Sequence, residues 1–279
     1  VKQLKALAPF SLVGLAGMGY TMVAMAIRYF DGTYDIEKDG IFLKDIPDDM
    51  KPSFGTTGAS GVFTAKSLLL VCMTFQAFFA HYNAPRYYIE LQNATSTRFG
   101  YVVSSSFGLS ALIYIAMTVF GFLTFGSNSA GFILNNYSDQ DTLATISRLC
   151  IAVSLLFTYP LPFMGVRDGI LDILLVPSSA RTDKMLNLLT VVILLIFTLL
   201  AMHFKDLGMV NAVGGGTLGT AVVFIFPTLM FRAIANRNLK VGAAIARQQQ
   251  REVMLLMSLM CFGILVGSIG VYVAIFPDI

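Results

Sequence analysis

Thr158 is followed at once by Tyr159-Pro160-Leu161-Pro162, inside the otherwise apolar stretch "LLFTYPLPFMGVRDGI" (155–170). Proline has no amide hydrogen, so Pro162 cannot donate to the carbonyl of Thr158, nor Pro160 to that of Leu156. A hydroxyl beside freed carbonyls is a set of hard oxygen ligands, which suits a small cation such as Na⁺. Ser154, one turn earlier on the same helical face, adds a second hydroxyl. Arg148 lies 10 residues before Thr158 and Arg167 lies 9 after it. If the two arginines mark the interfaces of one membrane span, about 28 Å of helix separates them and Thr158 sits at half depth. Unpaired carbonyls at that depth are tolerated only inside protein or against a water-filled cavity. The plainer alternative is that Thr158 back-bonds to its own helix.

A second polar set interrupts "TAKSLLLVCMTFQAFFAHYNAPRYYIEL" (64–91). Lys66 and Arg86 bracket it, and Gln76 falls near its middle. Polar side chains at that depth usually face the bundle interior and often line a pathway. An interhelical hydrogen bond would serve Gln76 equally well. His81 can carry protons, since imidazole titrates near neutrality; the alternative is a hydrogen-bonded structural histidine near the interface.

Other motifs lead elsewhere. No Ser/His/Asp set, His-Glu-x-x-His pattern or paired carboxylate lies within the apolar stretches, which argues against an enzyme. "GGGTLG" (214–219) satisfies G-x-G-x-x-G, but no acidic residue follows before Glu252 and no strand precedes it. Close helix packing through small residues, including the Gly215/Gly219 pair, explains it better, and Gly263 and Gly267 in the last span likewise read as a packing face. Cys72, Cys150 and Cys261 lack metal-ligand spacing and read as buried packing residues. The basic stretch 232–251 reads as a connector near anionic lipid, and the net charge of +3 is too small to argue for nucleic acid.

The elements that must position these residues are helices in a bilayer. The 279-residue chain is 56% hydrophobic and 13% charged, with a mean hydropathy of +0.73; soluble domains carry about 25% charged residues. About 20 apolar residues cross a hydrocarbon core ~30 Å thick. Seven stretches meet or approach that length: about 6–28, 62–85, 101–125, 148–175, 186–203, 212–235 and 252–276. The fold class is therefore an all-α polytopic membrane protein, a single transmembrane domain over 1–279. The 29–61 loop holds seven acidic residues against three lysines and reads as solvated. With the N-terminus cytoplasmic, the inner flanks carry 12 Lys/Arg and the outer flanks 7, the expected bias. That orientation makes 29–61 extracytoplasmic and puts the sequon Asn136-Tyr137-Ser138 outside, so Asn136 is expected to carry a glycan. The opening "VKQLKALAPFSLVG" has no initiator Met or signal peptide, and the chain reads as a fragment of a longer one.

Four blocks, in order, carry a resemblance: "FQAFFAHYNAPRYYIELQNATSTRFGYVVSSSFGLSALIYIAMTVFGFLTFG", "ILNNYS", "LLFTYPLPFMGVRDGI" and "GGGTLGTAVVFIFPTLM". They resemble the amino acid/auxin permease family, which includes sodium-coupled neutral, vacuolar and plant amino acid transporters. The resemblance implies a leucine-transporter-type fold of two inverted five-helix repeats plus one helix. Seven spans then correspond to its C-terminal part, with 62–235 as the complete second repeat and the first four helices absent. It further implies a secondary active transporter moving amino acids by alternating access, coupled to H⁺ or Na⁺ and needing no cofactor. Thr158, helped by Ser154, would hold the cation; Thr74 to Gln76 would line the substrate pocket, and His81 would hold the inner end of that span. Because the first helix of such a fold shares the cation and binds the substrate's polar groups, this chain alone is expected not to transport. A membrane sensor that binds without transporting, or a permease for auxin or a related small acid or amine, stays open. So do the membrane, plasma or vacuolar/endolysosomal, and the oligomeric state.

Overall fold

The computed structural model describes residues 8–55, 67–177, 180–204, 206–240 and 246–276. Apart from one parallel bridge between Ser53 and Gly126, these residues form helices and turns. Ten α-helices are named here: α1 (Ala8–Asp31), α2 (Ser67–Ala77), α3 (Ala84–Glu90), α4 (Ser96–Phe125), α5 (Thr142–Thr158), α6 (Pro160–Ile173), α7 (Asp183–His203), α8 (Leu207–Gly214), α9 (Phe226–Lys240) and α10 (Ala246–Ile275). Three of them start where a short polar side chain can accept from the open amides of a first turn. Asp141 caps α5, Thr182 caps α7 and Asp206 caps α8.

Six runs are long and apolar enough to cross a membrane: Ser11–Asp31, Ser96–Phe125, Thr142–Ile173, Asp183–His203, Leu207–Leu239 and Gln248–Ile275. Large apolar side chains such as Leu112, Leu199 and Leu265 stand exposed along them. Surfaces of that kind are at home in lipid, and the protein is an integral multi-pass membrane protein. The sequence reading expects seven spans. The difference lies in the second: residues 62–66, Lys66 included, are outside the described residues, and α2 stops at Ala77. Residues 6–7 of the first expected span are likewise outside them.

The chain divides into two units, residues 1–55 with 108–205 and residues 56–107 with 206–279; the dividing point after Phe107 falls inside α4. In the first unit α1 packs along α5. The core at one end of this pair is built from Met25, Tyr34, Ile46, Phe125, Leu134, Tyr137 and Ala144. Three of its rings meet edge to face, with centroids 5.4 Å apart for Tyr34–Phe125, 5.1 Å for Tyr34–Tyr137 and 4.9 Å for Phe125–Tyr137. The acidic 29–61 segment is thus more than a solvated loop, because its Tyr34 and Ile46 are core residues. Burial, with Asp141 alongside, pushes the Tyr34 phenol well above the usual tyrosine range, so the ring stays neutral.

The second unit is drawn together by small residues. Cys72 on α2 is buried with Ala212 on α8 and Ala274 on α10. A side chain at Gly215 would collide with the Cys72 carbonyl, and one at Gly267 would meet the Gly216 carbonyl and the Thr220 hydroxyl. The expected packing roles of Gly215 and Gly267 are therefore observed. Between α8 and α9 the backbone widens into π turns at Gly215–Gly219 and Ala221–Ile225. The cysteine reading needs a correction: Cys72 is buried and Cys150 half-buried, but Cys261 is exposed. Gly267→Ala should cost about 1–3 kcal/mol through overpacking. Gly108→Ala meets nothing within 4 Å and should be neutral or slightly stabilising. Thermal denaturation of the two variants in detergent, followed by circular dichroism, checks the contrast.

Candidate functional site

The proline segment does not break its helix. Tyr159 joins α5 to α6 with ordinary right-handed helical angles, φ −55° and ψ −40°. Its amide donates to the Leu155 carbonyl at 2.9 Å, and the Phe163 amide donates to the Tyr159 carbonyl at 3.2 Å. Pro160 and Pro162 delete two donors, but proline is well tolerated in the first turn of a helix, and α6 begins there. The expected interruption at 158–162 is thus corrected to a continuous helical run from Thr142 to Ile173.

Within that run the Thr158 hydroxyl donates to the Ser154 carbonyl at 2.9 Å, the back-bonded arrangement. The bond commits its proton inward and leaves the oxygen as an acceptor. Thr158 is exposed, whereas Ser154 is half-buried. The Ser154 hydroxyl lies where a side chain on Gly14 of α1 would stand, so it occupies the α1–α5 seam. Ser154 and Thr158 share one face of α5 in the first unit.

The interruption occurs instead in the span read as 62–85. After Ala77 the chain leaves the helix at Phe78, Phe79 and Ala80, makes one 3₁₀ turn over His81–Asn83, and resumes as α3. Pro85 sits in the first turn of α3. Ala84, directly before Pro85, keeps helical angles (φ −54°, ψ −45°), so the proline opens α3 rather than causing the break. Thr74 and Gln76 are on the last turn before it, and His81 follows it. Thr74 is exposed and donates to the Leu70 carbonyl at 2.8 Å. Gln76 is half-buried, and a side chain on Gly214 would come to 3.5 Å from its Oε1. His81 is exposed and meets Phe107 edge-on at 6.2 Å, while Phe78 stacks on Phe107 at 5.6 Å. The three residues thus gather around one helix end in the second unit.

The strongest polar constellation escaped the sequence reading. Asp141 is fully buried and accepts from Arg28 Nε at 2.8 Å, Arg28 Nη2 at 2.7 Å and the Tyr34 hydroxyl at 3.0 Å. The Leu143 and Ala144 amides add two more donors. Arg28 also donates to Asp31 and lies over the Phe42 ring, 5.3 Å from its centroid. Arg28 is the last basic residue of the first span, and Asp141-Thr142 is a legible helix start. Their pairing across more than a hundred residues has no local signature.

Asn136, expected to carry a glycan, is fully buried. Its Nδ2 donates to the carbonyls of Met50 at 3.1 Å and Asn128 at 2.8 Å, and its oxygen accepts from the Ala130 amide. The side chain is a strut between two loop segments, with no room for a sugar. Among the described residues no cluster of three His, Cys, Asp or Glu side chains could hold a metal ion.

Comparison with known proteins places these features in context. The family described as transmembrane amino acid transporter protein matches residues 1–276. A zebrafish (Danio rerio) relative is 28% identical over 203 residues, which is 72% of this chain and 43% of that protein. Cattle (Bos taurus) and human relatives are each 26% identical over 160 residues, 57% of this chain, covering 34% and 39% of theirs. All three carry the provisional name sodium-coupled neutral amino acid transporter 11. The chain spans less than half the length of these curated relatives. No solved structure matches it.

Because Asn136 is enclosed, mass spectrometry of the protein from a glycosylating host should find this asparagine unmodified, and endoglycosidase treatment should leave it so. A glycan at Asn136 would require the 128–136 segment to fold differently.

Proposed function

This chain belongs to the transmembrane amino acid transporter family, and from that premise we propose that the protein moves amino acids across a membrane by alternating access, driven by H⁺ or Na⁺. The observation that carries the reading is the helix end at Phe78–Ala80, inside the stretch read as a span (62–85), whereas six other apolar runs among the described residues continue for 21 residues or more. Lipid cannot satisfy open backbone groups, so such a break persists only where protein or a solute-filled cavity faces it. Interrupted helices are where secondary transporters hold solute; here the Phe78, Phe79 and Ala80 amides are already bonded to the Thr74, Gln76 and Phe78 carbonyls, so side chains at the break offer the contacts.

In this reading Thr74 and Gln76 flank the solute, and Gln76 supplies an amide able to donate and accept. Gly214 leaves space against that amide. His81 anchors the far side of the break against Phe107. Thr158 supplies a ligand to the coupling cation: its proton is spent on the Ser154 carbonyl, so the outward lone pair is held in place for a positive charge. The leucine-transporter-type arrangement, with 62–235 as the second inverted repeat, supplies the frame for alternating access, and lipid and the amino acid are the partners. The relatives' name speaks for Na⁺ in those proteins, and a hydroxyl ligand of this kind fits Na⁺ here.

Uptake of radiolabelled neutral amino acids by the full-length protein in proteoliposomes, with and without a Na⁺ or pH gradient, tests the proposal. Gradient-driven accumulation is expected; saturable binding without flux would overturn it in favour of a sensor. Thr158→Ala should raise the cation concentration needed for half-maximal uptake by about tenfold, the loss of one ligand, while leaving the thermal midpoint within a few degrees. Unchanged cation dependence would remove Thr158 from the site.

A further inference from the structure

Outside the regions assigned above, the first unit contains a cavity of about 410 Å³ where the end of α1, the 32–37 and 52–54 segments and the end of α4 meet. Its volume falls within the range of small-ligand sites, roughly 300–1,000 Å³. Tyr29, Tyr34 and Phe54 provide aromatic wall, and Arg28, Asp35 and Glu37 the charged lining.

The charge around this cavity does not balance. The Arg28 guanidinium is shared by two carboxylates, Asp31 and Asp141. That group therefore carries one negative charge in excess. Asp35 is offset by Lys38 at 3.3 Å. Glu37 has no ion-pair partner among the described residues. Of these carboxylates only Asp35 and Glu37 line the cavity, while Asp31 and Asp141 offset Arg28 from outside the lining, so the uncompensated negative charge is that of Glu37, and the concave shape focuses its potential. The carboxylates do not converge as metal ligands, since no group of three His, Cys, Asp or Glu side chains among the described residues could hold a metal. Dispersed negative charge with aromatic wall suits a diffuse organic cation, which gains from ring faces as well as from Coulomb attraction.

We infer that this cavity binds a small organic cation of the quaternary or primary ammonium class, at a place separate from α2 and from Thr158. The inference does not rest on the transport proposal, because neither Thr74, Gln76, His81 nor Thr158 lines the cavity. The ligand's positive centre lies toward Glu37 and Asp35, with its alkyl substituents against Phe54 and Tyr29. Arg28 itself repels a cation only weakly, since both of its carboxylate partners are within 2.8 Å.

The test is saturation-transfer NMR of choline against the full-length protein in maltoside detergent, whose headgroup carries neither an ammonium nor a charge. A saturable choline signal is expected that tetramethylammonium displaces and 3,3-dimethyl-1-butanol, the neutral carbon isostere, does not. Glu37 and Phe54 are exposed, so Glu37→Gln and Phe54→Leu should fold with unchanged thermal midpoints. Glu37→Gln should weaken choline binding about fivefold, the effect of one partly screened charge, and Phe54→Leu about threefold. Absence of a saturable signal, equal displacement by the neutral isostere, or unchanged affinity in both variants would each overturn the inference.

Discussion

The first unit depends on one buried carboxylate. Asp141 has no contact with solvent, and an isolated charge in that position would cost several kcal/mol. Five donors remove that penalty: two arms of Arg28, the Tyr34 hydroxyl and the first amides of α5. The five donors come from three parts of the chain, namely the end of α1, the turn after it and the start of α5. Satisfying the charge therefore fixes all three together. Tyr34 extends the network, since its hydroxyl accepts from the Ser138 amide at 2.9 Å while its ring packs in the aromatic core. Arg148 completes the same region from α5 by donating to the Leu134 and Tyr137 carbonyls at 2.8 and 2.7 Å.

The second unit is held by contact rather than charge. Glycines bring the backbones of α2, α10 and the π-helical stretch so close that methyl groups would not fit at Gly215 or Gly267. In lipid there is little hydrophobic gain in joining two apolar helices, so packing of this closeness supplies the attraction. The same contacts hold α2 up to the residue where its helix ends. A fixed helix end beside a fixed glycine surface is what the proposed solute site requires.

Much of this was legible from composition and periodicity. Long apolar runs locate α4, α7 and α10, and the glycines at 215 and 267 announce close packing. Asp141, Thr182 and Asp206 are of residue types that cap helices, and the structure shows them doing so. The proline pair at 160 and 162 misled because proline near a helix start is compatible with helical angles, and Tyr159 adopts them. The real interruption at 78–80 was less visible, since Phe-Phe-Ala carries no breaker of its own and the proline lies five residues beyond. The Asn136 sequon is a three-residue pattern, and nothing within three residues reveals that the amide is spent on Met50 and Asn128. The Arg28–Asp141 pair depends on how α1 and α5 pack, which local sequence does not encode.

The central claim is that Arg28 and Asp141 act as a single unit which ties α1 to α5. A double-mutant cycle measures it directly: thermal midpoints, by circular dichroism in detergent, for the parent, Arg28→Met, Asp141→Asn and the double variant. Asparagine retains the helix cap, so the cycle isolates the charge pair. The account predicts that Arg28→Met, which strands a buried carboxylate, loses more than the double variant, with a coupling of about 2 kcal/mol or more. Additive losses in the two single variants would contradict it.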